Sequence, residues 1–277
     1  MLLTPLGVLA GMPASGIGSS GYLVQTPESA ILLDAGPGTA LSVSRHLDTR
    51  TLDAVVVSHQ HSDHIYDLLP LGKMLLAKRL RRDERTLALA VDESIAAVPL
   101  FVPRGALAAL KTLAALFPVT THPLLDRAFD LAFDVHEYEP GETHRVGDAQ
   151  LRFELLAHVS PNCGVRVESG SDSLVYTGDT GVTEALPALA EGAGTLLSES
   201  TLRETDTSGH GHLTAQEAAR AALDAGVSDL VLTHFSSTDP LDHAWHRRSA
   251  AEIFNGPIAV AQPGLPLAVS PTRKASA

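Results

Sequence analysis

Cysteine is almost missing from this 277-residue chain: Cys163 stands alone, so no internal disulfide can form. Such usage fits a reducing cytoplasm, and a cytoplasmic location is expected. Long apolar runs are missing too. No stretch approaches the ~20 residues that a membrane-spanning helix requires, which predicts no membrane partner. Met1-Leu2-Leu3-Thr4-Pro5 lacks a basic segment and runs directly into a strand pattern, so no secretory signal is expected. Positive charge is scarce, with 20 basic residues against 32 acidic and a net charge of −12. Long-range electrostatics then oppose binding to nucleic-acid backbones unless a local basic patch compensates. No Gly/Ser- or Pro-rich linker interrupts the pattern. At 44% hydrophobic residues the chain can bury a sizeable core, and one domain over residues 1–270 is predicted. The small polar residues 271–277 read as a disordered tail.

What the chain does have is concentrated in Ser58-His59-Gln60-His61-Ser62-Asp63-His64. An apolar, β-branched run, Leu52 to Val57, precedes it and reads as a buried strand. A helical pattern starts just after it, around Ile65. Three histidines and an aspartate therefore sit in the turn at the carboxyl end of a core strand, where open α/β sheets place their ligands. Imidazole and carboxylate together suit borderline divalent metals such as zinc. Four such donors in six residues mark a metal site.

Elsewhere strands and helices alternate. Leu2 to Ala10, Tyr22 to Thr26, Ala30 to Leu33, Leu87 to Val91, Leu100 to Pro103 and Phe133 to Tyr138 read as strands in the first half. Gly16-Ile17-Gly18-Ser19-Ser20-Gly21 has the spacing of a dinucleotide loop, but a strand follows it where that loop needs a helix. Its glycines are expected to form a loop over the metal site with Ser19 or Ser20 facing substrate, or else a plain structural turn. Thr39 is expected to cap a helix to about Leu47, and Leu69 to Leu80 and Arg104 to Leu116 read as further helices. Lys73, Lys78, Arg79, Arg81, Arg82 and Arg85 form the only concentrated basic segment, which reads either as a solvated helix face or as a grip on an anion. Gly141 to Asp148 reads as a turn. His122, His136 and His144 have no ligand partner at close spacing and are expected to be non-catalytic.

In the second half, strands are expected to end at His158, at Asp179, at Glu199 and at His234. His212 precedes an alanine-rich helix, Ala215 to Ala225, with Thr214 as N-cap and Glu217 at the third helical position. His243 to Phe254 reads as the last helix and Ile258 to Ala261 as the last strand.

His59-x-His61-x-Asp63-His64 resembles the signature of the metallo-β-lactamase superfamily, and Tyr176-Thr177-Gly178-Asp179-Thr180 is similar to that family's second motif. The resemblance implies an α/β fold, an αβ/βα sandwich of two mixed sheets flanked by helices. It further implies that His59, His61 and His158 hold one divalent ion, that Asp63, His64 and His234 hold a second, and that Asp179 bridges them. Asp34, in Asp34-Ala35-Gly36, matches a structural aspartate. Two ions, zinc by preference with manganese or iron tolerated, would share a hydroxide and give the site a formal charge of roughly +1, attracting an anionic substrate.

Glu199 in Ser-Glu-Ser-Thr, together with Gly-His212-Leu-Thr, resembles the ribonuclease Z and cyclic-nucleotide phosphodiesterase branch. There a strand-end glutamate orients a histidine against the scissile phosphate. Glu199, His212 and Asp63 form the expected catalytic set, and a homodimer is implied by the same resemblance. The chain departs from tRNA-processing members between about residues 80 and 130, where the long Gly/Pro-rich basic arm is missing. With the negative charge, this favours a small phosphodiester such as a cyclic nucleotide. A tRNA 3′-endonuclease, a lactonase or other carboxylic-ester hydrolase, and a non-enzymatic metal-binding module are the alternatives.

Overall fold

Successive residues along the central strands are apolar on both faces, and the chain buries both. Ile31, Leu33, Ala54 and Val56 enter one apolar cluster, while their neighbours Leu32, Val55 and Val57 enter another. This continuous apolar character is what a sheet covered on both sides requires. The computed structural model describes residues 1–86 and 88–273. Among these, an eight-stranded sheet runs in the order Leu267–Ala268, Leu2–Leu9, Gly21–Gln25, Ala30–Leu33, Ala54–Val56, Val98–Pro103, Phe133–Tyr138, with Gly18–Ser19 paired to Leu2–Leu9. A seven-stranded sheet runs Thr143–Val146, Ala149–Leu156, Asn162–Ser169, Asp172–Tyr176, Thr195–Glu199, Asp229–Thr233, Ile258–Val260. Each sheet mixes parallel and antiparallel pairs.

The first cluster joins the facing sides of the two sheets: Tyr138 of one stacks on Phe153 of the other at 3.9 Å between ring centroids. It continues beneath Ala185–Ala190 and Ala215–Ala225, which pack on the outer side of the second sheet. The second cluster lies between the first sheet and the helices Thr39–His46, Leu68–Arg79 and Ala106–Ala115. The result is the metallo-β-lactamase fold, helix layer, two sheets and helix layer.

Several local readings shift. Gly38, left-handed at φ 99°, occupies the cap position expected of Thr39, which lies inside its helix. The turn expected over Gly141 to Asp148 contains an edge strand, Thr143–Val146, paired antiparallel with Ala149–Leu156. Its mostly exposed, polar residues hide the alternation that marks the inner strands. The last helix begins at Pro240, not His243, because Asp239 caps it by accepting from the Leu241 amide at 2.8 Å and proline suits the first helical turn. The capping box at Thr214 and Glu217 forms as expected and stabilises its helix by about 1 kcal/mol. Leu89–Val91 pairs with Leu80–Arg82, while Leu87, the expected start of that strand, lies outside the described residues. Residues 271–273, expected in a disordered tail, are bonded to the body: the Thr272 amide donates to Ser171 O and the Arg273 amide to Gly192 O. Residues 274–277 lie outside the described residues. Among the described residues no helix is long and apolar enough to cross a membrane.

Candidate metal centre

Strand ends from both sheets converge at one edge of the sandwich. The segment after Ala54–Val56 delivers His59, His61, Asp63 and His64, the last two on the short helix Ser62–Ile65. From the second sheet, His158 follows Ala149–Leu156, Asp179 follows Asp172–Tyr176, and His234 follows Asp229–Thr233. Ligand atoms of His59, His61, His158 and Asp179 lie within 4.8 Å of one another, and so do those of Asp63, His64, Asp179 and His234. Asp179 belongs to both groups and presents a different oxygen to each. Its Oδ2 is 3.6 Å from His59 Nε2 and 3.9 Å from His158 Nε2, while its Oδ1 is 3.2 Å from His64 Nε2 and 3.3 Å from His234 Nε2.

The imidazoles are aimed by bonds on their far side. His64 Nδ1–H donates to Asp34 at 2.7 Å, His158 Nδ1–H to Gly211 O at 2.8 Å, and His234 Nδ1–H to the Thr201 hydroxyl at 2.9 Å. His59 Nδ1–H donates to Ser58 Oγ at 3.1 Å. Each such bond fixes a tautomer whose Nε2 lone pair points into the cluster, the arrangement found behind metal-bound histidines. Asp34 also accepts from the Ser58 amide and hydroxyl and from Tyr176 Oη at 2.6 Å. Asp34 and His234 both adopt left-handed backbone, at φ 57° and 58°, a strain of about 1 kcal/mol or more each held at the site by its surroundings. Gly36 is required where it stands: a Cβ there would lie 1.9 Å from Asp63 O.

Charge tells the same story. Burial penalises the ionised carboxylate of Asp179, yet the neighbouring His234, His64 and His59 hold it well below the usual range. Burial likewise opposes a charged His64, but Asp179 and Asp34 outweigh it and hold its pKa well above the ordinary histidine value. Without cations the carboxylates thus recruit protons, a role that a divalent ion takes over with proton release. His59 Nε2, His64 Nε2 and Asp179 Oδ1 are buried without a hydrogen-bond partner. Orphans of this kind cost about 1–3 kcal/mol each unless something else satisfies them. The donor set, five imidazoles and two carboxylates, fits divalent metal ions.

Beside this cluster, Glu199 is fully buried and accepts from His212 Nδ1–H at 2.9 Å, from the Thr180 amide at 2.8 Å and from the Thr201 hydroxyl at 2.6 Å. Burial lowers the His212 pKa, but the bond to Glu199 and the nearby carboxylates prevail and raise it. A cavity of about 440 Å³ opens next to His158 and His212, with Val182, Asp206 and Glu217 in its wall.

All nine sequence-derived candidates therefore meet at one place. His136 and His144 pair instead with Asp134 and Glu142 on the surface. Ser19 and Ser20 follow the structural alternative: both are buried, and the Ser19 hydroxyl donates to Gly11 O. The Gly11 amide, ahead of that loop, does reach the site, donating to Asp63 Oδ2 at 2.7 Å. Sequence reading also passed over Thr201 and His210. A hydroxyl two residues after Glu199, and a histidine two residues before His212, were the available signals.

Fold and site together define a metal-dependent hydrolase. Residues 29–235 match the family model of the beta-lactamase superfamily domain, and the chain belongs to that superfamily. The probable metallo-hydrolase YhfI of Bacillus subtilis is 27% identical over 95% of this chain and 98% of its own length. Its crystal structure matches with a TM-score of 0.79 over 96% of this chain and 98% of that one, at 24% identity. A ribonuclease Z of Streptomyces coelicolor is 30% identical over 94% of this chain and 95% of its length. A diphosphatase of the PhnP family superposes with a TM-score of 0.70 at 18% identity, over 99% of both chains.

Proposed function

We propose that residues 1–270 form one hydrolase domain that cleaves small phosphodiesters, such as cyclic nucleotides, at a two-ion zinc centre. The Glu199–His212 pair carries this reading, because it supplies a positioned proton donor beside the ligand cluster. His59, His61 and His158 would hold one ion, Asp63, His64 and His234 the other, with Asp179 serving both. The ions would activate water and neutralise charge on the phosphoryl oxygens. In hydrolysis the water oxygen bonds to phosphorus, the ester P–O bond breaks, and the leaving oxygen needs a proton. His212, with Nδ1–H committed to Glu199, can deliver that proton from Nε2 and stabilise charge on the phosphoryl group. Asp63, oriented by the Gly11 amide, can take up the proton that the water gives away. Glu199 acts through His212, holding its ring in place.

The basic segment bears on substrate size. Lys78 is paired with Asp48 at 2.9 Å, Arg79 is buried and donates to Leu131 O, and Arg81 is paired with Asp92. Half of the segment's charge is thus spent inside the chain, which supports a short anion over a polynucleotide. Asp206 and Glu217 in the cavity wall act in the same direction. Ribonuclease Z relatives keep tRNA 3′ cleavage as the second reading. Assays at physiological salt with a bis-aryl phosphodiester, a cyclic nucleotide, precursor tRNA and a lactone panel separate the readings. We expect the small phosphodiesters to turn over best; efficient tRNA cleavage beside an inert cyclic nucleotide would reverse the order.

Two expectations concern the metals. Elemental analysis of active, unchelated protein should give about two zinc-like ions per chain, and one or none would contradict the ligand division. Asp34→Asn should leave the protein folded while weakening metal retention by roughly 10–100-fold, since it loosens His64 without removing a ligand. Chelator competition that matches the parent protein would remove Asp34 from that role.

A further inference from the structure

His210 belongs to neither proposed ion and takes no part in the proposed reaction, yet the chain holds it over the centre. Its ring centroid lies 5.0 Å from His212, 5.2 Å from His158 and 6.0 Å from His61. One ligand nitrogen from each of His158, His210 and His212 falls within 4.8 Å of the others. The loop presenting it is prebuilt. Asp206 accepts from the Ser208 amide at 2.7 Å, the Ser208 hydroxyl at 2.6 Å and the Gly211 amide at 2.7 Å. His210 O in turn accepts from the Val159 amide at 2.9 Å. Gly211, at φ 93°, presses so close that a Cβ would lie 2.4 Å from Ala157 O, so the loop is clamped against the segment bearing His158.

The same far-side bonds that aim the inner histidines apply here. His158 and His212 commit Nδ1 to Gly211 O and to Glu199, which leaves Nε2 of each for the cluster; His158 Nε2 lies 3.1 Å from His61 Nδ1. Imidazoles at this spacing suit a zinc-like cation whose shell is completed by water.

We infer that His210 and His212, next to His158, form a third, outer cation position at the mouth of the centre. Once the inner positions are filled, His158 is committed to them. The outer ion then has His210 and His212 as its protein ligands, with water completing its shell, and binds more weakly than the inner two. An ion there takes the Nε2 lone pair of His212, so excess zinc silences the residue proposed to deliver the proton. That inhibitory consequence rests on the role given to His212; the binding itself does not.

The test is calorimetric titration of Zn²⁺, with no affinity-tag histidines present, into protein already carrying two equivalents, paired with hydrolysis of a bis-aryl phosphodiester across the same zinc range. The parent protein should show a third, weaker binding event and lose activity as that event fills. His210→Ala should lose the event and resist excess zinc, with activity at two equivalents near that of the parent. Binding that stops at two equivalents, or a third event that survives in His210→Ala, overturns the site. A third event that leaves hydrolysis untouched overturns the inhibition while leaving the site standing. Absent phosphodiester hydrolysis at two equivalents would instead count against the proposed function, and the calorimetric result would stand apart from it.

Discussion

Asp179→Ala should give a folded protein that has lost its hydrolysis and holds both its metals loosely. The carboxylate divides its two oxygens between the two histidine groups, Oδ2 toward His59 and His158 and Oδ1 toward His64 and His234. Removing it therefore subtracts a ligand from each proposed ion at once and raises the local positive charge that the remaining ions must bear. Losing the charge stabilisation they provide is worth several kcal/mol, a fall of roughly 10³-fold or more in kcat. Circular dichroism should match the parent protein, because Asp179 lies beyond the end of its strand and its side chain packs against polar groups. A variant that keeps one full metal equivalent with near-parental turnover would show that Asp179 does not bridge.

His212→Ala probes the other half of the chemistry. The residue lies outside the proposed ligand set, so metal content should stay at the parental level. If His212 protonates the leaving oxygen and stabilises the phosphoryl charge, kcat should fall roughly 10²–10⁴-fold. KM should move much less, since the interaction lost is made mainly in the transition state. Glu199→Gln should give a smaller loss of the same kind. The double variant should be little worse than His212→Ala alone, because Glu199 acts on the reaction through the ring it holds. Full metal content with unchanged phosphodiesterase kcat would make His212 a mere decoration of the helix start and reopen lactone hydrolysis.

How legible each part was in the sequence follows from how locally it is specified. His59, His61, Asp63 and His64 are contiguous, so strand and turn chemistry alone exposed them. His158, Asp179 and His234 are single residues at strand ends, and the family resemblance was needed to connect them. Thr201 left only the faint signal of a hydroxyl two residues after Glu199, and the Gly11 amide left none, because their bonds to the cluster span long separations: Thr201 to His234, 33 residues away, and Gly11 to Asp63, 52 residues away. Inner strands such as Ala30–Leu33 were plain from their apolar runs, whereas the exposed edge strand Thr143–Val146 carried too little apolar signal to be told from a turn. Ser19 and Ser20 were left between two readings for a related reason. Flanking glycines are compatible with an open loop, but Gly18–Ser19 pairs with Leu2–Leu9 and both serines are buried.

The origin of the cluster in two sheets has a mechanical consequence. His59, His61, Asp63 and His64 hang from one sheet and His158, Asp179 and His234 from the other, so neither half of the chain carries a complete coordination shell. A cation gripped there is a rivet through the sandwich. Its affinity and the cohesion of the two layers are one linked quantity, since an ion bound only by the folded state adds RT ln(1 + [L]/Kd) to stability. Chelation would then be felt as splaying of the layers as much as loss of a reagent, and a substitution deep between the sheets, far from any ligand, could surface as weakened metal retention.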